Sequence, residues 1–310
     1  MNRRSAIHIL FVAGAGSFLA PRASGSPVND PHDFVIRTEV RLVLLDVSVK
    51  DRDGALVPSL SRENFAVFEN GVPQRITVFA NEDLPVTVGI LVDESRSMGP
   101  KRAEVLSAAE SFIAGGNPHD EIFVLNFNER VKRGLAAGVL FSDDPVQLRA
   151  ALDRGFPEGR TALYDALAEG LQQLAMGKRD KKALLVISDG GDNASYHTRG
   201  ETMDGLERSI ATVYAIGLFN PEDPDRNPGV LKQLAGISGG EAYFPTSGEQ
   251  MTDVCRAIAR EIRSRYTIGY LPAAANGSAL RHIRVSVTAP GRLRLSVRTR
   301  TRYRFDKTEN

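Results

Sequence analysis

Cysteine is nearly missing from this 310-residue chain: Cys255 stands alone, so no internal disulfide can form. It sits in "MTDVCRAIAREI", in step with Met251, Val254, Ile258 and Ile262 at helical spacing. That spacing predicts a buried helix face, where a thiol behaves as a small hydrophobe. An excess of charge is missing too. Lys and Arg number 39 against 38 Asp and Glu, so nothing in the balance calls for nucleic acid or an anionic membrane as partner. No apolar run reaches the ~20 residues of a comfortable membrane span. The chain has no internal repeat or low-complexity tract. His32, His119, His197 and His282 offer no persuasive general base.

What is present begins with an export signal over residues 1–25. Arg3 and Arg4 give a basic start, "AIHILFVAGAGSFLA" an apolar core and "RASG" a small-residue exit. The flanks of the paired arginines fit a twin-arginine signal poorly. No cysteine follows the apolar core, which excludes lipid attachment there. Cleavage would remove Arg3, Arg4 and Arg22 with no acid, taking the net charge from +1 to −2. The expected product is exported, to periplasm, cell surface or medium.

Residues 26–34 read as a polar linker. Residues 35–84 look all-β: "VRLVLLDVSV" alternates with period two, "DRDG" turns the chain, and Asn70-Gly71 suits a tight hairpin. From 85 to 264 strands and helices alternate. Strands "VTVGILV", "EIFVLNF", "KALLVIS" and "TVYAIGLF" are nearly continuous apolar runs, as when helices cover both faces of a parallel sheet. Residues 265–306 return to β character, with turns at Asn276-Gly277 and Pro290-Gly291. Each β segment is too short to bury a core alone. The expected fold class is therefore α/β, a doubly wound and mostly parallel sheet, plus a smaller discontinuous all-β sandwich-like domain built from both segments.

In a doubly wound sheet, ligands bind beyond the carboxyl ends of the strands at the switch point. "ILVDESRSMG" places Asp93, Ser95 and Ser97 there, after a buried strand. Thr161 in "EGRTALYDAL" opens a helix, and Asp189 in "LLVISDGGDN" ends the most apolar strand. Two carboxylates and three hydroxyls, without imidazole or thiolate, suit a hard cation such as Mg²⁺, Mn²⁺ or Ca²⁺ rather than zinc. D-x-S-x-S, a loop threonine and a strand-end S-D-G resemble the metal-ion-dependent adhesion site of the von Willebrand factor A family. "HDEIFVLNF" and "AGISGGEAYF" are similar to family segments, so the resemblance spans about 85–264. The overall layout resembles bacterial, acidobacterial-type members.

That resemblance implies five metal ligands, Asp93, Ser95, Ser97, Thr161 and Asp189, with Mg²⁺ as the expected ion. It also implies a protein partner that completes the shell with Asp or Glu, hence a non-enzymatic adhesion or binding role. Asp165 is expected on an exposed helix turn, and Asp192 either behind the metal or in a plain loop.

Three other readings need weighing. Gly236 to Gly240 spell G-x-S-x-G, but a helix precedes and a strand follows, the inverse of a nucleophile elbow. A metal-dependent hydrolase lacks an evident base. The last stretch, "RLRLSVRTRTRYRF", reads as one strand with Arg292, Arg294, Arg298, Arg300, Arg302 and Arg304 on one face. Such a face is either solvated, blunting an edge, or a binder of envelope polyanion.

Overall fold

The computed structural model describes residues 42–219, 225–272, 279–289, 291 and 294–304. The signal at 1–25, the linker at 26–34, the Asn276-Gly277 turn and Arg292 lie outside them. Val40–Asn310 form one compact unit, and no described helix is long and apolar enough to cross a membrane.

A six-stranded sheet carries the site. Its strands are β5 (Val86–Asp93), β6 (Glu121–Phe127), β7 (Val131–Arg133), β8 (Lys181–Ser188), β9 (Thr212–Gly217) and β10 (Ala242–Tyr243). They lie in the order β10-β9-β8-β5-β6-β7, parallel except for β7. The connecting helices are α1 (Arg102–Ala114), α2 (Pro145–Asp153), α3 (Leu163–Met176), α4 (Arg199–Arg208), α5 (Pro228–Ser238) and α6 (Gly248–Arg263). Every residue of β5 and of β9 is buried, which is why these segments read as unbroken apolar runs. Cys255 is fully buried on α6, and burial pushes its thiol up to about 12.

The flanking segments make a sandwich. β1 (Val43–Lys50), β4 (Ile76–Ala80), β11 (Tyr266–Tyr270) and β13 (Ser296–Arg298) form one antiparallel sheet in the order β13-β1-β11-β4. β2 (Phe65–Glu69), β3 (Val72–Gln74), β12 (Leu280–Val287) and β14 (Arg302–Arg304) form the other, ordered β14-β12-β2-β3. Each sheet mixes strands from before and after the α/β region, so the discontinuous β layer expected from sequence is present. Leu45, Val47, Phe65, Val67, Tyr266, Ile268 and Ile283 share its core. The Asn70-Gly71 hairpin has φ of 49° and 83°, both left-handed as a tight primed turn requires.

One buried acid ties the two segments. Glu69 accepts from Tyr270 and Tyr303 hydroxyls at 2.7 Å each and pairs with Arg281 at 2.9 Å. A second knot joins sandwich to α/β sheet. Glu261 of α6 pairs with Lys50 at 2.6 Å and Arg265 at 3.1 Å, while Arg265 also donates to Tyr214 and to the Gly239 carbonyl. Burial alone would raise Glu261, but Arg265 and Lys50 together hold it below the usual carboxylate range.

The C-terminal arginines correct the sequence reading. "RLRLSVRTRTRYRF" is two short strands in different sheets rather than one, and Arg298, Arg300, Arg302 and Arg304 are half-buried with partners on the α/β region. Arg298 pairs with Glu241 at 2.5 Å, Arg300 donates to the Glu207 carbonyl, Arg302 and Arg304 pair with Glu207, and Arg304 pairs with Asp204. The stretch is a clasp onto α4 and the strand edge. Arg294, in the same stretch just before β13, is exposed with φ of 65°.

Candidate metal centre

The order β8-β5-β6 means the chain steps from β5 to β6 on one side and later to β8 on the other. The switch point lies between β5 and β8, and it is where Asp93 and Asp189 emerge. Val92 pairs with Ile187 across these strands, so Asp93 and Ser188 sit side by side. Ser188 Oγ donates to Asp93 Oδ2 at 2.6 Å, and the Ser95 N–H donates to Asp93 Oδ1 at 2.8 Å. These two bonds fix the carboxylate's orientation.

After β5 the chain enters a 3-10 turn, Arg96–Lys101, which swings Ser95 and Ser97 back over the strand ends. Their hydroxyls lie 3.1 Å apart, and Ser97 Oγ donates to Asp189 Oδ2 at 2.7 Å. The Gly191 N–H holds the other Asp189 oxygen at 2.9 Å. Four of the five residues singled out from sequence therefore form one connected oxygen cluster, with Asp93, Ser95 and Asp189 each at most 3% exposed.

Thr161 reaches the same rim by another route. It is buried, its N–H donates to Asn193 Oδ1 at 2.9 Å, and its carbonyl accepts from the Asn193 and Ala194 N–H groups. Among the described residues its hydroxyl makes no hydrogen bond to the other four. Asn193, which splices the threonine loop to the Asp189 loop, was missed in sequence. "DGGDN" hides its role, since an Asn in a Gly-rich turn reads as turn chemistry. Ser188 was missed too, although a Ser ending the strand beside Asp93 was a readable signal.

Burial and the neighbouring Asp189 charge push the Asp93 carboxyl up to about 7. Among the described residues, neither carboxylate has a basic side chain as ion-pair partner, whereas the adjacent Glu94 is paired with Arg102. Nor is there among them a group of three or more His, Cys, Asp or Glu suited to a metal. An ion here would have to draw on hydroxyls as well as on two acids. The cluster fits that demand: two buried carboxylates without a counter-charge, ringed by neutral oxygens.

The supporting residues differ from expectation in one case. Asp165 is not a free helix-turn acid. Its carboxylate accepts from the Tyr196 and His197 N–H groups and meets His197 Nδ1 at 2.7 Å, which braces the loop after Asp189 against α3. Burial opposes its charge, but these bonds hold its pKa below the ordinary value. Asp192 accepts from Ser195 Oγ at 2.5 Å and from the Tyr164 N–H, so it organises the loop and the start of α3. In the G-x-S-x-G stretch, Ser238 is buried within α5. Its hydroxyl donates to the Leu234 carbonyl and accepts from the Val213 N–H. Gly239 ends that helix with φ of 85°, as a helix-stop glycine does.

A family model described as the von Willebrand factor type A domain matches residues 88–191. An uncharacterized protein of Synechocystis is 27% identical over 185 residues, covering 55% of this chain and 41% of that protein. The chain thus spans less than half the length of that relative. Among solved structures, a von Willebrand factor type A protein of Catenulispora acidiphila shares the fold with a TM-score of 0.51 at 12% identity. It covers 88% of this chain and 76% of its own. The von Willebrand factor domain of a Porphyromonas gingivalis type V pili tip protein aligns with a TM-score of 0.45 at 12% identity, over 59% of this chain and 97% of that one.

Proposed function

We propose that this chain, which matches the von Willebrand factor type A family model over residues 88–191, is a non-enzymatic binding protein whose site holds a divalent cation. Asp93, Ser95, Ser97, Thr161 and Asp189 would be the ligands, and a partner protein's Asp or Glu would complete the shell. The observation that carries this reading is the buried Asp93 and Asp189 pair, which lacks a basic partner among the described residues and is joined through Ser95 and Ser97. Bound Mg²⁺, or Mn²⁺ or Ca²⁺ in its place, would supply the positive charge and an open position for an outside carboxylate. The chain's own residues prepare that position: Ser188 and the Ser95 and Gly191 N–H groups aim the two acids, and Asn193 holds the Thr161 loop.

Several features weigh against catalysis. His197 is committed to Asp165, Ser238 is buried in helix bonds, and Cys255 lies inside the core. The polyanion reading through Arg292, Arg294, Arg298 and Arg300 loses two of its members to Glu241 and the Glu207 carbonyl. With the signal expected at 1–25, the site would work outside the cytoplasm. Residues 85–264 would be the metal-bearing domain, and 35–84 with 265–306 its β support.

Isothermal calorimetry with Mg²⁺ or Mn²⁺ tests the reading. One site should be seen in the parent protein and none in Asp93→Ala, with far-ultraviolet circular dichroism unchanged. Equal metal affinity in both proteins refutes it. Metal-dependent turnover on a panel of esters and phosphoesters would refute the non-enzymatic part alone.

A further inference from the structure

A cavity of about 610 Å³ opens between α3 and α4. It exists because facing positions carry almost no side chain: Ala168 and Ala175 on α3, and Gly205 on α4. Leu171 and the 46%-exposed Ile210 supply apolar surface. That volume lies within the range of pockets that take a small ligand or a few side chains.

None of the five candidate ligands lines the groove, but its upper end is tied to the loops of the candidate metal rim through His197. Both helices begin there and run toward the opposite edge of the sheet. His197 lines the groove's upper end and is also the residue bonded to Asp165, four positions after Thr161. Beside it, Tyr196 presents its ring 95% exposed while its N–H is fixed by the same carboxylate. Along α3, Ala168 lies about 8 Å and Ala175 about 18 Å from Leu163, the residue that opens the helix two positions after Thr161, at 1.5 Å per residue. An extended chain advances about 3.3 Å per residue.

We propose that the partner is a peptide segment in which the metal-seeking acid is followed or preceded, three to six positions away, by apolar side chains that fill the α3–α4 groove. This rests on the metal-dependent reading above. The ion selects for a carboxylate, and the groove selects among carboxylates by the residues that come with it.

Fluorescence anisotropy with labelled Gly/Ser dodecapeptides tests the idea on the full chain. One peptide carries a single Asp. Two more add leucines four and six positions before or after that Asp, and two controls keep the leucines but replace the Asp with Asn. In Mg²⁺, one of the Asp-plus-leucine peptides should bind at least tenfold more tightly than the Asp-only peptide, the scale of burying one leucine. Binding should vanish in EDTA and with the Asn controls.

Gly205→Leu should erase the tenfold gain while leaving Mg²⁺ binding untouched. A Cβ there meets Leu171 at an ordinary 3.7 Å, so the fold should accept it. Gly205→Ala, which leaves the groove open, should keep the gain. Leucines that add nothing, a gain that survives Gly205→Leu, or Mg²⁺ binding with no peptide bound would each overturn the groove proposal and leave the metal reading standing. Absence of Mg²⁺ heat in peptide-free protein would instead remove the metal reading, and the groove proposal with it.

Discussion

Replacing Asp93 by asparagine should stabilise the metal-free protein and, in the same stroke, deprive it of its response to Mg²⁺. In the folded chain, burial and the Asp189 charge lift the Asp93 carboxyl from 3.8 to about 7. Three pH units at 1.36 kcal/mol each come to about 4 kcal/mol. The sign follows from proton counting. An unfolded chain releases this proton near pH 4, whereas the folded one keeps it to about pH 7, so the folded state holds more protons in between. Stability contributed by the group is therefore full below pH 4, declines as pH rises to 7 and is flat above.

Asparagine cannot ionise, keeps an acceptor for the Ser95 N–H and turns its amide toward Ser188 Oγ, a hydroxyl able to accept. In EDTA at pH 8, Asp93→Asn should thus exceed the parent by up to about 4 kcal/mol, and the gap should shrink toward zero at pH 4. At free Mg²⁺ a hundredfold above its dissociation constant the parent should gain about 2.7 kcal/mol and the variant almost nothing. Urea melts at pH 4, 6 and 8, with EDTA or Mg²⁺, read all of this. A variant less stable than the parent in EDTA at pH 8, or a gap independent of pH, would refute the account.

Other perturbations separate site from scaffold. Glu69→Ala removes the shared acceptor of two tyrosine hydroxyls and the carboxylate facing Arg281, and should cost about 3–5 kcal/mol in denaturant titration. Asn193→Ala should weaken Mg²⁺ binding by about 10–100-fold, as loss of a ligand's supporting bond does, with little change in melting temperature. Gly239→Ala should destabilise by at least about 1 kcal/mol, because the position has φ of 85° and an added Cβ would sit 2.3 Å from the Thr299 backbone. Cys255 should react with a thiol reagent only as fast as the protein unfolds, followed by absorbance.

Much of this architecture could be read from local pattern. "RAEVLSAAESFIA" and "EIFVLNF" coincide with α1 and β6 to the residue, since their apolar spacing is set by one face or by two. That Asp93, Ser95, Ser97 and Asp189 meet was legible because strand ends at a switch point are fixed by topology. Non-local choices were not legible. The alternation in "RLRLSVRTRTRYRF" runs unbroken through Thr299–Thr301, yet there the chain crosses between sheets, with the Thr301 N–H on the Ile237 carbonyl and its carbonyl on the Ile283 N–H. Nothing in the pattern names Glu207 or Glu241 as the arginines' partners. β7 is three residues, two of them basic, too short to show a period. Asp165 shows the same limit: its helix position was clear, but the loop that folds back onto it comes thirty residues later.

The insertion of the α/β region between β4 and β11 has a mechanical consequence. Those two strands are hydrogen-bonded neighbours, and just beyond them Arg263 clamps Asp83, so entry and exit run close together at the edge opposite the metal rim. Tension between a partner held at the candidate site and the sandwich would load that twin crossing together with the Glu261 knot and the C-terminal clasp. Pull applied across the sandwich alone would shear β strands first and leave the rim unloaded.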